Sequence, residues 1–402
     1  MTDFLQRDLI NIGDGYTGGS GNDLLCYDGE NLARHHDVVV VTHNHRLNVF
    51  GYLNLAEFGG ERYAASGNVG MLDNVAVLEW VRDNIASFGG DPENVLIFGQ
   101  SGGGGKVSHL MAMPSAAGLF HRVAVQSGAT LRTGSTDKSN QLAAALLVEL
   151  GFSKSQIDKL HSIPASALLA AQGAAVNRLK GVTWGPVLDG KIIPTHPFDP
   201  SAPAISARIP LLIGNCQNEF VNGCDNPEVA TLTESDLKKR VGEAHGTSAD
   251  NIIEAYRREY PQESPFGIWA AISASTPHRN SIIQAERKAA QGAAPAYHYR
   301  YAWRTPMLDN TPGTFHSSEI TFALDNADLC TQYSGGGQEA LGLSSKMGEA
   351  WASFARSGRP GHKDLPEWPA YNSESRATMV FNNQCSIKND IEGAGLRLMK
   401  GA

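Results

Sequence analysis

The chain is expected to fold as an α/β protein, a mostly parallel central sheet with helices on both faces. Two observations predict this: short, continuous apolar runs of buried-strand type, and stretches of helical periodicity that alternate with them. The first run is "DVVVVT", Asp37 to Thr42. Such a β-branched run suits a strand buried on both faces. In "GNVGMLDNVAVLEWVRDNIASFGG" the spacing of Leu78, Val81 and Ile85 predicts a helix, stopped by Gly89-Gly90 and the following Asp91-Pro92. A second strand, "NVLIFG", follows. Val107, Leu110 and Met111 then repeat at helical spacing as far as Pro114, and "RVAVQSG" supplies a third strand.

Beyond Gly128 the pattern changes to alanine-rich helical segments, "NQLAAALLVEL" and "PASALLAAQGAA". These read as a helical, lid-like insertion over the sheet, covering about residues 131–179. Strand-like runs return at "IPLLIG" (209–214), "AYHYRYAW" (296–303) and "ATMVF" (377–381), so the sheet is expected to use the whole length. With no repeat, linker or low-complexity tract, residues 1–402 read as a single domain.

Composition narrows the function. The 33 basic and 41 acidic residues give a formal charge of -8, which disfavours nucleic acid and offers no polybasic patch for a membrane. Small molecules are the expected partners. The five cysteines are far apart with no C-x-x-C, so neither a zinc site nor a disulfide framework is expected. The start, "MTDFLQRDLINIGDG", lacks a signal-peptide pattern, and a cytoplasmic protein is the expectation.

The stretch "NVLIFGQSGGGGKVSHL" carries the chemistry. A P-loop needs G-x-x-x-x-G-K-[ST], but Gln100 stands where its first glycine belongs and Val107 follows Lys106. A G-x-G-x-x-G fingerprint fails as well, leading to Val107 or Ser108. The same letters satisfy G-x-S-x-G as Gly99-Gln100-Ser101-Gly102-Gly103, between a buried strand and a helix. That context makes Ser101 the candidate nucleophile and the Gly102 N–H a candidate oxyanion donor.

A serine nucleophile needs a base and a carboxylate, in the order Ser, Asp/Glu, His. Among thirteen histidines, His316 lies in the loop straight after the late strand 296–303, and Glu219 in a loop just beyond another strand end. Both sit at the carboxyl edge, where α/β sheets place their sites. His43 and His45 in "THNHRLN" suggest a metal pair, but no third ligand is evident.

Together with "GYTGGSG", "RLNVFGYL", "GPVLDG", "FHSSEITFALDN" and "LPEWPAY", these motifs resemble the type B carboxylesterases, the cholinesterase-like branch of the α/β-hydrolases. The resemblance spans nearly the whole chain. It implies the α/β-hydrolase fold, a triad of Ser101, Glu219 and His316, and hydrolysis of small uncharged carboxylic esters without cofactor or metal.

It also exposes two departures. Where the family has an H-G-G-G-like run whose later glycines donate to the oxyanion, this chain has "IGDG", so Asp14 and Gly15 take the donor positions. A carboxylate there is unfavourable beside a developing anion. Relatives also carry a substantial segment ahead of this loop, so a truncated or altered start is expected, with one sheet edge exposed. These departures keep open a catalytically weak or silent binding protein, and an amide or carbamate hydrolase would share the same triad. Trp184, Phe266 and Trp269 are candidates for the pocket wall, with core packing the competing role for each.

Overall fold

The computed structural model describes residues 6–11, 13, 15–21 and 24–399, with the backbone alone for residues 6–8. Eight strands form one sheet in the order β2-β1-β3-β4-β5-β6-β7-β8. They are β1 Gln6–Asn11, β2 Val38–Thr42, β3 Gly90–Gln100, β4 Arg122–Gln126, β5 Leu211–Cys216, β6 Ala296–Tyr301, β7 Ala377–Phe381 and β8 Ser386–Asn389. All neighbours run parallel except the last pair, β7 and β8. The expected runs are all strands, and β2 forms the outer edge among the described residues.

Polar letters in "FLQRDLINIG" obscure β1 in the sequence, yet it sits inside the sheet, with Leu9 opposite Val40 on one side and Leu96 on the other. Two parallel ladders satisfy its backbone, and Leu9 and Ile10 are fully buried.

The two-residue period of a strand divides the core in two. Ile10, Ile97, Val123, Val125 and Ile213 face one layer, with helices α1 (Val69–Asn84), α2 (Gly102–Leu110) and α3 (Thr136–Glu149). Leu9, Leu96, Phe98, Ala124 and Leu212 face the other. After α3 comes α4 (Ala165–Arg178), whose Leu168, Ala171 and Ala175 join the first layer. Next come α5 (Pro265–Ser273) and α6 (Ser275–Ala290), and then α7 (Gly337–Ser357), which covers the second layer with Met347, Trp351 and Phe354. No helix among the described residues is long and apolar enough to cross a membrane.

A buried ionic knot ties the chain's end to the sheet. Arg300 on β6, fully buried, donates through Nη2 to Glu392 Oε1 at 2.7 Å and to the carbonyl of Gln217 at 3.2 Å. Glu392 also meets His278 Nδ1 at 3.0 Å and the Tyr256 hydroxyl at 3.3 Å. Burial works to raise the Glu392 pKa, but the charge of Arg300 and the hydrogen bonds from His278 and Tyr260 outweigh it and hold the carboxyl below its ordinary range. Removing one partner of such a pair strands a charge in low dielectric. Arg300→Leu is therefore expected to cost about 3–5 kcal/mol in stability, read by urea denaturation monitored by circular dichroism.

Candidate active site

β3 ends at Gln100, and α2 begins at Gly102. Between them Ser101 has φ 55° and ψ −121°, a conformation that costs a non-glycine residue of order 1–3 kcal/mol and persists only where its surroundings enforce it. They do so here: Ser101 N–H donates to the Gln126 carbonyl at 2.8 Å, and the Ser101 carbonyl accepts from Gly105 N–H at 3.0 Å. The strained turn lifts the hydroxyl off the carboxyl end of the sheet, into a cavity that Ser101 lines together with Gly15 and Gly102.

The glycines behind Ser101 make room for a second chain segment. A Cβ on Gly102 would stand 2.9 Å from the Cα and carbonyl carbon of Gly15 and 2.9 Å from Tyr16 N. One on Gly105 would stand 2.3 Å from the Tyr16 hydroxyl. The first would push the Gly15–Tyr16 backbone away from Ser101, and the second would displace the Tyr16 side chain. Asp14, the other expected donor, lies outside the described residues.

The loops after β5 and β6 meet edge to edge. Glu219 pairs with Phe315 in an isolated parallel bridge, and His316 N–H donates to the Glu219 carbonyl at 2.8 Å. This places the side chains face to face: His316 Nδ1 donates to Glu219 Oε2, while Glu219 Oε1 accepts from Cys216 N–H at 2.9 Å. Glu219 is 1% exposed and has φ 51°, so this carboxylate is also held by a strained backbone.

Gln100 links the histidine to the nucleophile's strand. Its Nε2 lies 3.3 and 3.4 Å from the two ring nitrogens of His316, a shared distance that only the face of the ring offers. Its Oε1 accepts from Ser317 Oγ at 3.0 Å. Phe220, 66% exposed, packs on the same imidazole with ring centroids 4.1 Å apart. Neither contact is legible in the sequence, because both depend on where two distant loops meet.

Sequence reasoning also passed over Glu319. It lies three residues beyond His316, fully buried, with Oε1 accepting from Ser127 Oγ at 3.1 Å. Ser127 Oγ in turn accepts from Cys216 N–H at 3.3 Å, the same amide that serves Glu219. The available signal was a glutamate embedded in the apolar "EITFAL" run, where a charge needs a reason.

Burial, and after it the charge of Glu219, pushes Glu319 up to about 8 from an ordinary 4.5. The native protein thus keeps a proton that the unfolded chain releases above its ordinary value. Native binding exceeds unfolded binding between those two points, so this group makes stability fall as pH rises through them. Glu319→Gln removes the dependence. Its Tm relative to the parent is expected to climb between pH 5 and pH 8.5, with turnover near the parental level at pH 7.

The cavity at Ser101 measures about 450 Å³. Thr17, Ser127, Thr130, Thr183, Trp184 and Asn280 contribute to its wall, and among the described residues that line it none is Asp, Glu, Lys or Arg. A second cavity of about 280 Å³ shares Tyr16, Thr130, Thr183 and Trp184 with it and extends to Leu142 of α3. Trp184 therefore faces both spaces. Phe266 and Trp269 line neither of these two cavities: on α5, Phe266 is buried in a separate apolar cluster with Leu237, Ile252 and Tyr256, and the half-buried Trp269 packs against that cluster. Helical spacing alone does not distinguish a cluster of this kind from a pocket wall.

His43 and His45 lie just past β2, their rings 5.5 Å apart, and Asn74 Oδ1 accepts from His43 Nε2 at 3.0 Å. Among the described residues no group of three or more His, Cys, Asp or Glu is arranged to hold a metal.

The parallel sheet, its crossovers and its placement of strand-end loops define the chain as an α/β-hydrolase. Residues 9–398 match the model of the Carboxylesterase family, and the chain belongs to that family as a carboxylic ester hydrolase. It is 35% identical over 384 residues to the para-nitrobenzyl esterase of Bacillus subtilis (strain 168), covering 93% of this chain and 75% of that one. Among solved structures, it superposes on a Geobacillus stearothermophilus carboxylesterase with a TM-score of 0.81 at 34% identity, covering 99% of this chain and 83% of that one. An esterase of Clostridium hathewayi, described as able to hydrolyse aliphatic aromatic polyesters, gives 0.83 at 33% identity, covering 99% and 79%. These relatives do not favour the alternative of a silent binding protein.

Proposed function

We propose that the chain hydrolyses small, uncharged carboxylic esters through an acyl-enzyme on Ser101, with His316 as general base and Glu219 as the orienting carboxylate. The observation that carries this reading is the Glu219–His316 hydrogen bond, in a loop pair that Gln100 joins to the strained Ser101 turn. Ser101 Oγ bonds to the ester carbonyl carbon and its proton passes to His316, while the carbonyl π pair moves onto oxygen. The Gly102 and Gly15 N–H groups, with Asp14 at the neighbouring position, receive that oxyanion. Collapse expels the alcohol with the proton from His316. Water then attacks the acyl-serine by the same route in reverse.

The described residues that wall the Ser101 cavity are uncharged, which supports an uncharged substrate, since an ionic group against them would lose water without gaining a partner. The insertion at about residues 131–179 shapes the adjoining cavity, and we assign it within the one domain. A chromogenic short-chain aryl ester tests the reading. Expected is a phenolate burst equivalent to the enzyme, followed by slower turnover, with the acyl mass found on the peptide carrying Ser101. Absence of the adduct during turnover would sink it. Matched ester, amide and carbamate substrates rank the leaving groups.

A further inference from the structure

Lys106 sits one turn into α2 with no exposed surface. An ammonium removed from water is costly unless strong contacts replace its hydration. Its Nζ donates to the carbonyl of Gly15 at 2.9 Å and lies 5.5 Å from the centre of the Tyr16 ring. Both contacts fall on the segment that packs against Gly102, ninety-one positions away in sequence. Around it His43 and His45 are held neutral: burial depresses both, the charge of Lys106 adds to this, and His45 falls to about 3. The cation therefore faces the loop without competing imidazolium charge.

Gly15 has no side chain, so only its peptide groups fix its position. The Tyr16 main chain is tied further on, where its carbonyl accepts from Asn48 N–H at 2.8 Å. At Gly15 itself the carbonyl is held by Lys106. We propose that Lys106 is a positioning residue for the oxyanion hole, clamping Gly15 O from the helix that carries the nucleophile so that the Gly15 N–H stays aimed at the reacting carbonyl. One rigid element then sets both sides of the hole: α2 supplies the Gly102 N–H directly and holds Gly15 through Lys106. The lysine that suggests a phosphate cradle in the sequence donates instead to a backbone carbonyl.

The inference rests on Ser101 as nucleophile and Gly15 as donor. It is tested with Lys106→Met, which keeps the length and removes the charge and donor, and with Lys106→Gln, polar but too short for Gly15 O. Expected for each is a fall in kcat of about 10–100-fold with KM within about threefold, since a mis-set donor weakens only the charged transition state. The inhibition constant of an aryl trifluoromethyl ketone, which forms a tetrahedral oxyanion adduct with the serine, is expected to rise by the factor that kcat/KM falls. Far-ultraviolet circular dichroism and Tm select folded variants, and either variant alone suffices. A folded variant with parental kcat and an unchanged ketone constant overturns the role of Lys106. If Ser101→Ala turns over the ester as fast as the parent, the nucleophile assignment falls, and this role with it; dependence on Ser101 with indifference to Lys106 overturns only the latter.

Discussion

Ser101→Ala is expected to abolish the phenolate burst and to lower kcat by about 10⁶-fold while leaving KM for the aryl ester within a few-fold. The reason lies in the division of labour at the turn. Only the hydroxyl is removed, and the walls of the cavity it lines, among them Tyr16, Thr130 and Trp184, are untouched. What remains is a site that still presents its backbone donors to a carbonyl and can assist attack by water, the source of the residual rate seen when a triad serine is deleted. The backbone gives a second readout. Alanine at φ 55° and ψ −121° inherits the same strain, so Tm is expected to move little. A variant that retains its burst would place the nucleophile elsewhere. A variant that loses activity together with its fold would show that the hydroxyl supports the turn.

Much of this site was legible because its chemistry is written in local spacing. Ser101 follows from strand, tight turn and helix, and the structure places that turn at the end of β3. Glu219 and His316 were readable as loop residues directly beyond strands, since parallel topology carries all such loops to one edge. What escaped depends on tertiary distance. Gln100 reaches His316 across 216 positions, and Lys106 reaches Gly15 across 91. No periodicity encodes either. The glycine run shows the same limit: its letters predict a tight turn, but that Gly102 and Gly105 clear space for Gly15 and Tyr16 appears only once the β1 loop is laid across α2. For Phe266 and Trp269 the sequence leaves pocket wall and core packing open, and the structure sets both against a separate apolar cluster. A large aromatic on a helix suits either role, and which one it takes is decided by neighbours such as Leu237 and Tyr256.

Glu219→Gln is the sharper test of the mechanism, expected to lower kcat by about 10⁴-fold at neutral pH with KM nearly unchanged. Two donors converge on this carboxylate, Cys216 N–H on Oε1 and His316 Nδ1 on Oε2. A carboxylate accepts both, but an amide offers one acceptor and one donor. If the amide oxygen keeps the fixed Cys216 N–H, its NH₂ faces Nδ1. That nitrogen must then accept, and the proton moves to Nε2, the position required to take the proton of Ser101. If the amide turns the other way, two N–H groups collide at Cys216 in a buried site, at a cost of about 1–3 kcal/mol. The histidine is thus held in the unreactive tautomer with little change in shape. Glu319→Gln is the matched comparison, because Glu319 is buried beside Glu219 and is already protonated at neutral pH, so an amide reproduces its ordinary state. The same substitution, one hundred positions apart, should silence the enzyme at Glu219 and spare it at Glu319. Equal losses at both would mean that the pair acts through shared charge, and that orientation of His316 is not the function of Glu219.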